Sequence, residues 1–220
     1  EDKGEKFVNN LDGPFAFVIS DKEELMAARD PLGLKPLYYS ENEDKSMVFA
    51  SEIKALSGNT GDINEFPPGH YFKSDKGFVK YYDISKITEN KTITSIEAVG
   101  DVREKLIEAM NKRYEPNKDS GVFLSGGVDS SVIAAVCREV NERTETFSVG
   151  VEGSEDLQKA KRVAKHIGSK HYEYIYDLDE MLKILPKVIY YLESFDMYLV
   201  RSAVANHILS RMAREKGMDL

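Results

Sequence analysis

The seven residues Ser125 to Ser131, SGGVDSS, set two glycines, three serines and one aspartate between the apolar runs GVFL and VIAAV. Glycines let a backbone approach a ligand closely and let successive N–H groups point into one hollow. A helix starting at this point adds its partial positive charge. The hydroxyls of Ser125, Ser130 and Ser131 suit phosphate oxygens. Asp129 does not suit an anion site unless it holds a divalent cation that accompanies the anion. A polyphosphate with Mg²⁺ meets all of these conditions. A plain strand-to-helix turn with Asp129 or Ser130 as N-cap explains the glycines, but not the whole set. The stretch is neither a Walker A loop, since GK[ST] is missing, nor the dinucleotide pattern GxGxxG.

Such a loop needs a strand before it and a helix after it. GVFL is a short apolar run of strand type, and Ser130 to Val140 has helical spacing. The alternation continues downstream: strand TETFSVGV, helix LQKAKRVAKHIG, strand KHYEYIY, helices DEMLKIL and PKVIYYLE with Pro186 opening the second, and helix SAVANHILSRMAREKG capped at Gly217. Upstream, Ile96 to Tyr114 has helical spacing through Val99, Val102, Leu106, Ile107 and Met110. This alternation implies a parallel sheet with helices on both faces. Its ligands bind beyond the carboxyl ends of the strands, where SGGVDSS falls. Residues 1–82 read differently, as the short strands FAFVI, LMAAR, PLYYS, MVFAS, HYF and FVKYY, separated by turn signals. They imply an antiparallel meander with one short helix at SEIKALS. The polar stretch 83–95 reads as a linker. The fold class is therefore α+β followed by α/β.

Composition narrows the function classes. The net charge of −8 is spread along the chain, which argues against a nucleic-acid or anionic-membrane surface. No apolar run approaches the roughly 18 residues of a membrane span, and the opening EDKGEKF is no signal peptide. One cysteine fits a reducing, cytoplasmic setting. It is Cys137, spaced with Ile133 and Val140 on an apolar face, and reads as a buried structural thiol. His70, His166, His171 and His207 lie on separate elements without metal-ligand spacing.

SGGVDSS is similar to the SGGxDS pyrophosphate loop of the ATP-pyrophosphatase group. LDGPFAFVI, RDPLGLKPLYY, ASEIKAL, FPPGHYF, GVFLSGGVDSS and TFSVGVEGSEDLQKAKRVAKHIGSKHYEY together resemble the glutamine-hydrolysing asparagine synthetase family. The resemblance implies that residues 1–82 are the later part of an N-terminal-nucleophile glutaminase sandwich. Residues 96–220 would be the first part of a parallel-sheet synthetase domain. It implies ATP and Mg²⁺, with aspartate and either glutamine or ammonia as substrates, and a homodimer. By position, Leu124, Ser125, Gly126 and Gly127 correspond to main chain that holds the nucleotide, and Asp129 to the Mg²⁺–pyrophosphate aspartate. Ser130 and Ser131 correspond to the loop hydroxyls, Val149 to an adenine contact, and Arg201 to an arginine near the acyl-adenylate. Glu193 matches a family glutamate, and equally reads as an ordinary helix-end carboxylate. RDPLG reads as scaffold, with Arg29–Asp30 as a structural ion pair.

Three departures keep other readings open. The family's N-terminal cysteine nucleophile is not in this sequence, so the 220 residues alone should not hydrolyse glutamine. Because a further strand and a second acidic loop should follow KGMDL, the chain is expected to be part of a longer protein. The family's usual Thr-Thr pair is replaced by Tyr198 and Leu199, which leaves a different carboxylic acid open, with aspartate still the expected one. A β-lactam-synthetase-like enzyme, an amidating ligase of another carboxylic acid and a non-catalytic nucleotide-binding module are the alternatives.

Overall fold

A computed structural model describes residues 4–21, 24–83, 92–115 and 118–218. The chain divides into two compact units, Glu1–Asn90 and Lys91–Leu220. Of the linker read over 83–95, residues 84–91 lie outside the described residues.

The first unit opens with a 3-10 helix, Gly4–Asn10. Strands β1 (Ala16–Ser20), β2 (Leu25–Arg29), β3 (Tyr38–Glu41) and β4 (Met47–Ala50) follow. After a second 3-10 helix, Ile53–Leu56, come β5 (Ile63–Glu65), β6 (His70–Lys73) and β7 (Gly77–Lys80). They do not form the single meander expected. One antiparallel sheet has the order β1-β2-β6-β7 and another β4-β3-β5. The reason lies in β2. Its neighbours Ala27 and Ala28 point to opposite faces, yet both are fully buried. Ala27 packs with Leu37 and Phe66, joined by Tyr39 of β3 and Phe49 of β4. Ala28 packs with Val8 and Tyr71. A strand covered on both faces needs a second layer, and β3–β5 supply it.

The expected Arg29–Asp30 ion pair is not what forms. Arg29 pairs with Glu65 at 2.7 Å and donates to the carbonyls of Phe66, Lys35 and Gly33. The Asp30 carboxylate instead accepts the N–H groups of Leu32, Leu34 and Lys35 at 3.0–3.1 Å. Burial works to raise its pKa, but these backbone donors outweigh it and hold the carboxyl below its usual range. Adjacent buried residues serve better by each satisfying loop groups than by pairing with each other, because the turn's N–H and C=O groups have no sheet partners.

The second unit contains α1 (Ser95–Asn111), β8 (Gly121–Phe123), α2 (Val128–Val140), β9 (Glu145–Gly150), α3 (Glu155–Ile167), β10 (His171–Ile175), α4 (Leu178–Leu192) and α5 (Met197–Glu215). The three strands form a parallel sheet in the order β10-β9-β8. Alternation along the strands sorts the helices. Val122 and Leu124 face Ala134 of α2 and Ala160 and Ala164 of α3. Phe123 and Phe147 face Leu209, Met212 and Ala213 of α5. α1 starts at a capping box, in which Thr94 and Glu97 satisfy each other's N–H groups. Its Ile96, Val99 and Val102, apolar by period, remain exposed. α4 is one helix and not the two expected, with Pro186 inside it. The proline removes one helical hydrogen bond, a cost of about 3 kcal/mol. Met181, Ile184, Leu185 and Val188 offset this by packing on Val204 and Ile208 of α5. α5 starts earlier than expected because Asp196 caps it, accepting from Tyr198 N–H at 3.0 Å and Leu199 N–H at 2.9 Å. No helix among the described residues is long and apolar enough to cross a membrane.

Candidate nucleotide site

The site begins where β8 ends. Leu124 is buried and donates its N–H to Phe147 O at 2.8 Å, which extends the sheet by one bond. Its carbonyl turns away and accepts the hydroxyl of Ser148, itself 3% exposed on β9. The chain then crosses α3 closely. A Cβ at Gly126 would lie 2.5 Å from Ala160 N, and φ there is +79°, so both space and backbone demand glycine. Gly127, extended at φ −72°, stands at the N-cap of α2 without any side-chain cap. The N–H groups of Gly126, Val128, Asp129 and Ser130 make no hydrogen bond among the described residues. Uncapped amides at a helix start, preceded by a left-handed glycine, make a concave set of donors for an anion.

The hydroxyls expected to bind phosphate are occupied in shaping this loop. Ser125 and Ser130 share a hydrogen bond at 2.9 Å, and Ser130 lies 3.2 Å from Gly127 O. Ser131 donates to Gly127 O at 2.6 Å. Asp129 is exposed on the first turn of α2 and makes no hydrogen bond or ion pair among the described residues. No group of three or more metal-ligating side chains occurs among those residues. One free carboxylate beside open phosphate donors still fits Mg²⁺, which commonly takes one or two protein carboxylates together with substrate phosphates.

Next to the loop, a cavity of about 640 Å³ opens at the carboxyl ends of β8, β9 and β10. That volume lies within the roughly 300–1,000 Å³ of small-molecule sites. Leu124, Ser125, Val149 and Arg201 line it. The structure thus brings together residues from a strand end, a loop, a second strand and α5. Gly126, Gly127, Asp129, Ser130 and Ser131 are not in the lining. Arg201 is exposed and has no ion pair among the described residues. Tyr198 and Leu199 do not line the cavity, and both are exposed. Glu193 is the C-cap of α4 in a left-handed conformation, φ 54°, and it too is outside the lining. A second cavity, about 680 Å³, lies at the opposite, amino ends of the strands around Gly121, Asn141 and Cys137. That end is the one parallel α/β sheets do not use for ligands. Burial raises the Cys137 thiol pKa, and its Sγ contacts Met110 Sδ at 3.5 Å, as expected of a structural thiol.

Sequence reasoning missed Ser148, Tyr176, Ser202 and Asn206, all of which line the cavity. A serine between Phe147 and Val149 in a buried strand was one available signal. The i, i+4 spacing of Ser202 and Asn206 next to Arg201 was another.

A family model described as asparagine synthase matches residues 101–220, which include the loop and every residue of the cavity. The chain belongs to the asparagine synthase family. A glutamine amidotransferase domain model matches residues 1–58. The chain is 36% identical to a probable glutamine-hydrolyzing asparagine synthetase of Dictyostelium discoideum, over all of this chain and 43% of that protein. It is 34% identical to asparagine synthetase 2 of Arabidopsis thaliana, over 100% of this chain and 40% of that one. It is 32% identical to asparagine synthetase B of Escherichia coli K12, over 100% and 43%. The chain therefore spans about two fifths of the length of these curated relatives. Among solved structures, an NH3-dependent NAD synthetase from Campylobacter jejuni aligns with 53% of this chain and 52% of its own, at 17% identity and a TM-score of 0.40.

Proposed function

We propose that this asparagine synthase family member amidates aspartate at the expense of ATP, releasing AMP and pyrophosphate. The observation that supports this reading is the set of open amide donors of Gly126, Val128, Asp129 and Ser130 next to a cavity containing Arg201. The substrate's side-chain carboxylate attacks the α-phosphorus of ATP, the bond to the β-phosphate oxygen breaks, and an acyl-adenylate forms. The loop amides and the start of α2 take the charge that builds up on the departing pyrophosphate. Asp129 would hold Mg²⁺, which when bound supplies further neutralisation of that charge. Val149, half-buried at the end of β9, borders the adenine. Arg201 balances the acid's negative charge and orients it. Ammonia then attacks the acyl carbon and AMP leaves. In this reading residues 1–82 belong to a glutaminase sandwich that supplies the ammonia from glutamine, and residues 96–220 to the synthetase domain.

The test uses the protein expressed from its complete gene. AMP release is measured with Mg²⁺-ATP and ammonia, with and without aspartate. Aspartate-dependent AMP is the expected result. Asp129→Ala should remove it while the far-ultraviolet circular dichroism is unchanged. AMP release that ignores aspartate, or that persists in Asp129→Ala, would overturn the assignment.

A further inference from the structure

The two hydroxyls replaced by Tyr198 and Leu199 suggested that this segment reads the acid differently. The structure moves the question one turn further along α5. Tyr198 and Leu199 form the exposed first turn, 73% and 54% accessible, and neither reaches the cavity. The face of α5 that does reach it consists of Arg201, Ser202, Ala205, Asn206 and Leu209. These are positions i, i+1, i+4, i+5 and i+8, a single helical stripe. The stripe runs from solvent to core. Arg201, Ser202 and Asn206 are exposed, Ala205 is half-buried, and Leu209 is 7% exposed against Phe147. The Asn206 amide, like the Ser202 hydroxyl, lines the cavity and hydrogen-bonds to nothing among the described residues.

We infer that Asn206, with Ser202 one turn before it, is a specificity-determining residue that recognises the polar groups of the acid substrate away from its reacting carboxylate. This inference rests on the adenylation reading above. Aspartate carries an ammonium and a second carboxylate beyond the group that attacks ATP. An asparagine amide offers an acceptor to the first and a donor to the second without adding a charge to a wall that already has Arg201. Asn206 and Ser202 discriminate once the bound ligand covers them from water, because an analogue lacking the matching group then leaves them unpaired. Ala205, small and on the same stripe, keeps space for the ligand between Arg201 and Asn206.

The experiment is aspartate-dependent ATP–pyrophosphate exchange by the protein from its complete gene, with aspartate compared to succinate, which lacks the ammonium. Asn206→Leu keeps the size and removes both hydrogen-bonding groups. We expect its KM for aspartate to rise at least tenfold and its KM for ATP to stay within twofold. The preference for aspartate over succinate should fall by a similar factor. Ser202→Ala should give a smaller change of the same kind. Tyr198→Thr and Leu199→Thr should leave the KM for aspartate and the preference unchanged. An unchanged KM and preference in Asn206→Leu, with the wild type active, overturns this inference and leaves the adenylation reading standing. No aspartate-dependent exchange in the wild type overturns both.

Discussion

Two residues decide whether the loop after β8 has its shape. Gly126 lies at φ +79° directly against the backbone of α3, with 2.5 Å between its missing Cβ and Ala160 N. Gly126→Ala must strain the loop or push α3 away, at about 1–3 kcal/mol for the backbone alone. We expect a lowered melting temperature and at least a tenfold loss of ATP affinity by calorimetry; normal affinity would show that the loop does not depend on this contact. Ser148 acts from below. Its hydroxyl satisfies the carbonyl of Leu124, the first peptide to leave the sheet. Ser148→Ala buries that carbonyl without a partner, so urea unfolding should show a loss of about 1–3 kcal/mol. A loss under 0.5 kcal/mol would mean that the carbonyl finds another donor. The Ser-Gly-Gly-x-Asp-Ser pattern made the loop legible, because its residue types are informative even without coordinates. Ser148 was hidden because nothing in a strand sequence says which carbonyl its hydroxyl meets.

At the scale of elements, helix and strand periods carried most of the information, and errors came where packing overruled local signals. Pro186 reads as a helix start, since proline is welcome at a first turn. Instead it sits inside α4, held by the seam with Val204 and Ile208. Pro186→Ala restores the missing N–H at an exposed site and should stabilise the unit by about 1–3 kcal/mol. Thermal melts check this, and a neutral or destabilising effect would mean that the helix is bent to fit the proline. The start of α5 shows the opposite case. Asp196 was a readable cap, yet the helical pattern alone did not reveal that α5 begins at Met197. That shift puts Arg201 in the second turn and aims its stripe at the cavity.

At the scale of the whole molecule, acid and base act on different units. His171 is nine-tenths buried in the second unit, with Thr146 Oγ1 at 2.9 Å and Glu173 at 3.6 Å, while Lys161 of α3 lies 3.6 Å from Glu173. Burial lowers its pKa, and nearby Glu173 only partly opposes this. A base whose folded pKa lies below its unfolded value, about 6.5, favours unfolding when protonated. The stability it contributes is complete above about pH 6.5 and lost as pH falls through the folded value. In the first unit, Tyr81 donates to Arg29 O at 2.8 Å, and burial together with the Asp30 charge pushes its pKa up to about 12. Its contribution is present below the unfolded value near 10 and disappears as pH rises toward 12. Melting curves of His171→Gln and Tyr81→Phe across pH should each lose one slope, the first on the acid side and the second on the alkaline side. Parallel curves for variant and wild type would refute the linkage.

The sequence by itself determined the alternating architecture of the second unit, the glycine- and serine-rich loop at a strand end and the family, because periodicity and a short, chemically unusual motif are local properties of the chain. It did not determine that β3–β5 leave the meander to cover β2, since that depends on which faces of Ala27 and Ala28 find partners from distant segments. It did not determine which side chains meet in the cavity either. Leu124, Val149, Arg201 and Asn206 are brought together by the parallel register of β8 and β9 and by the rotation of α5. Only tertiary packing sets those two quantities. They separate Arg201 and Asn206, which line the site, from Tyr198 and Leu199, which do not.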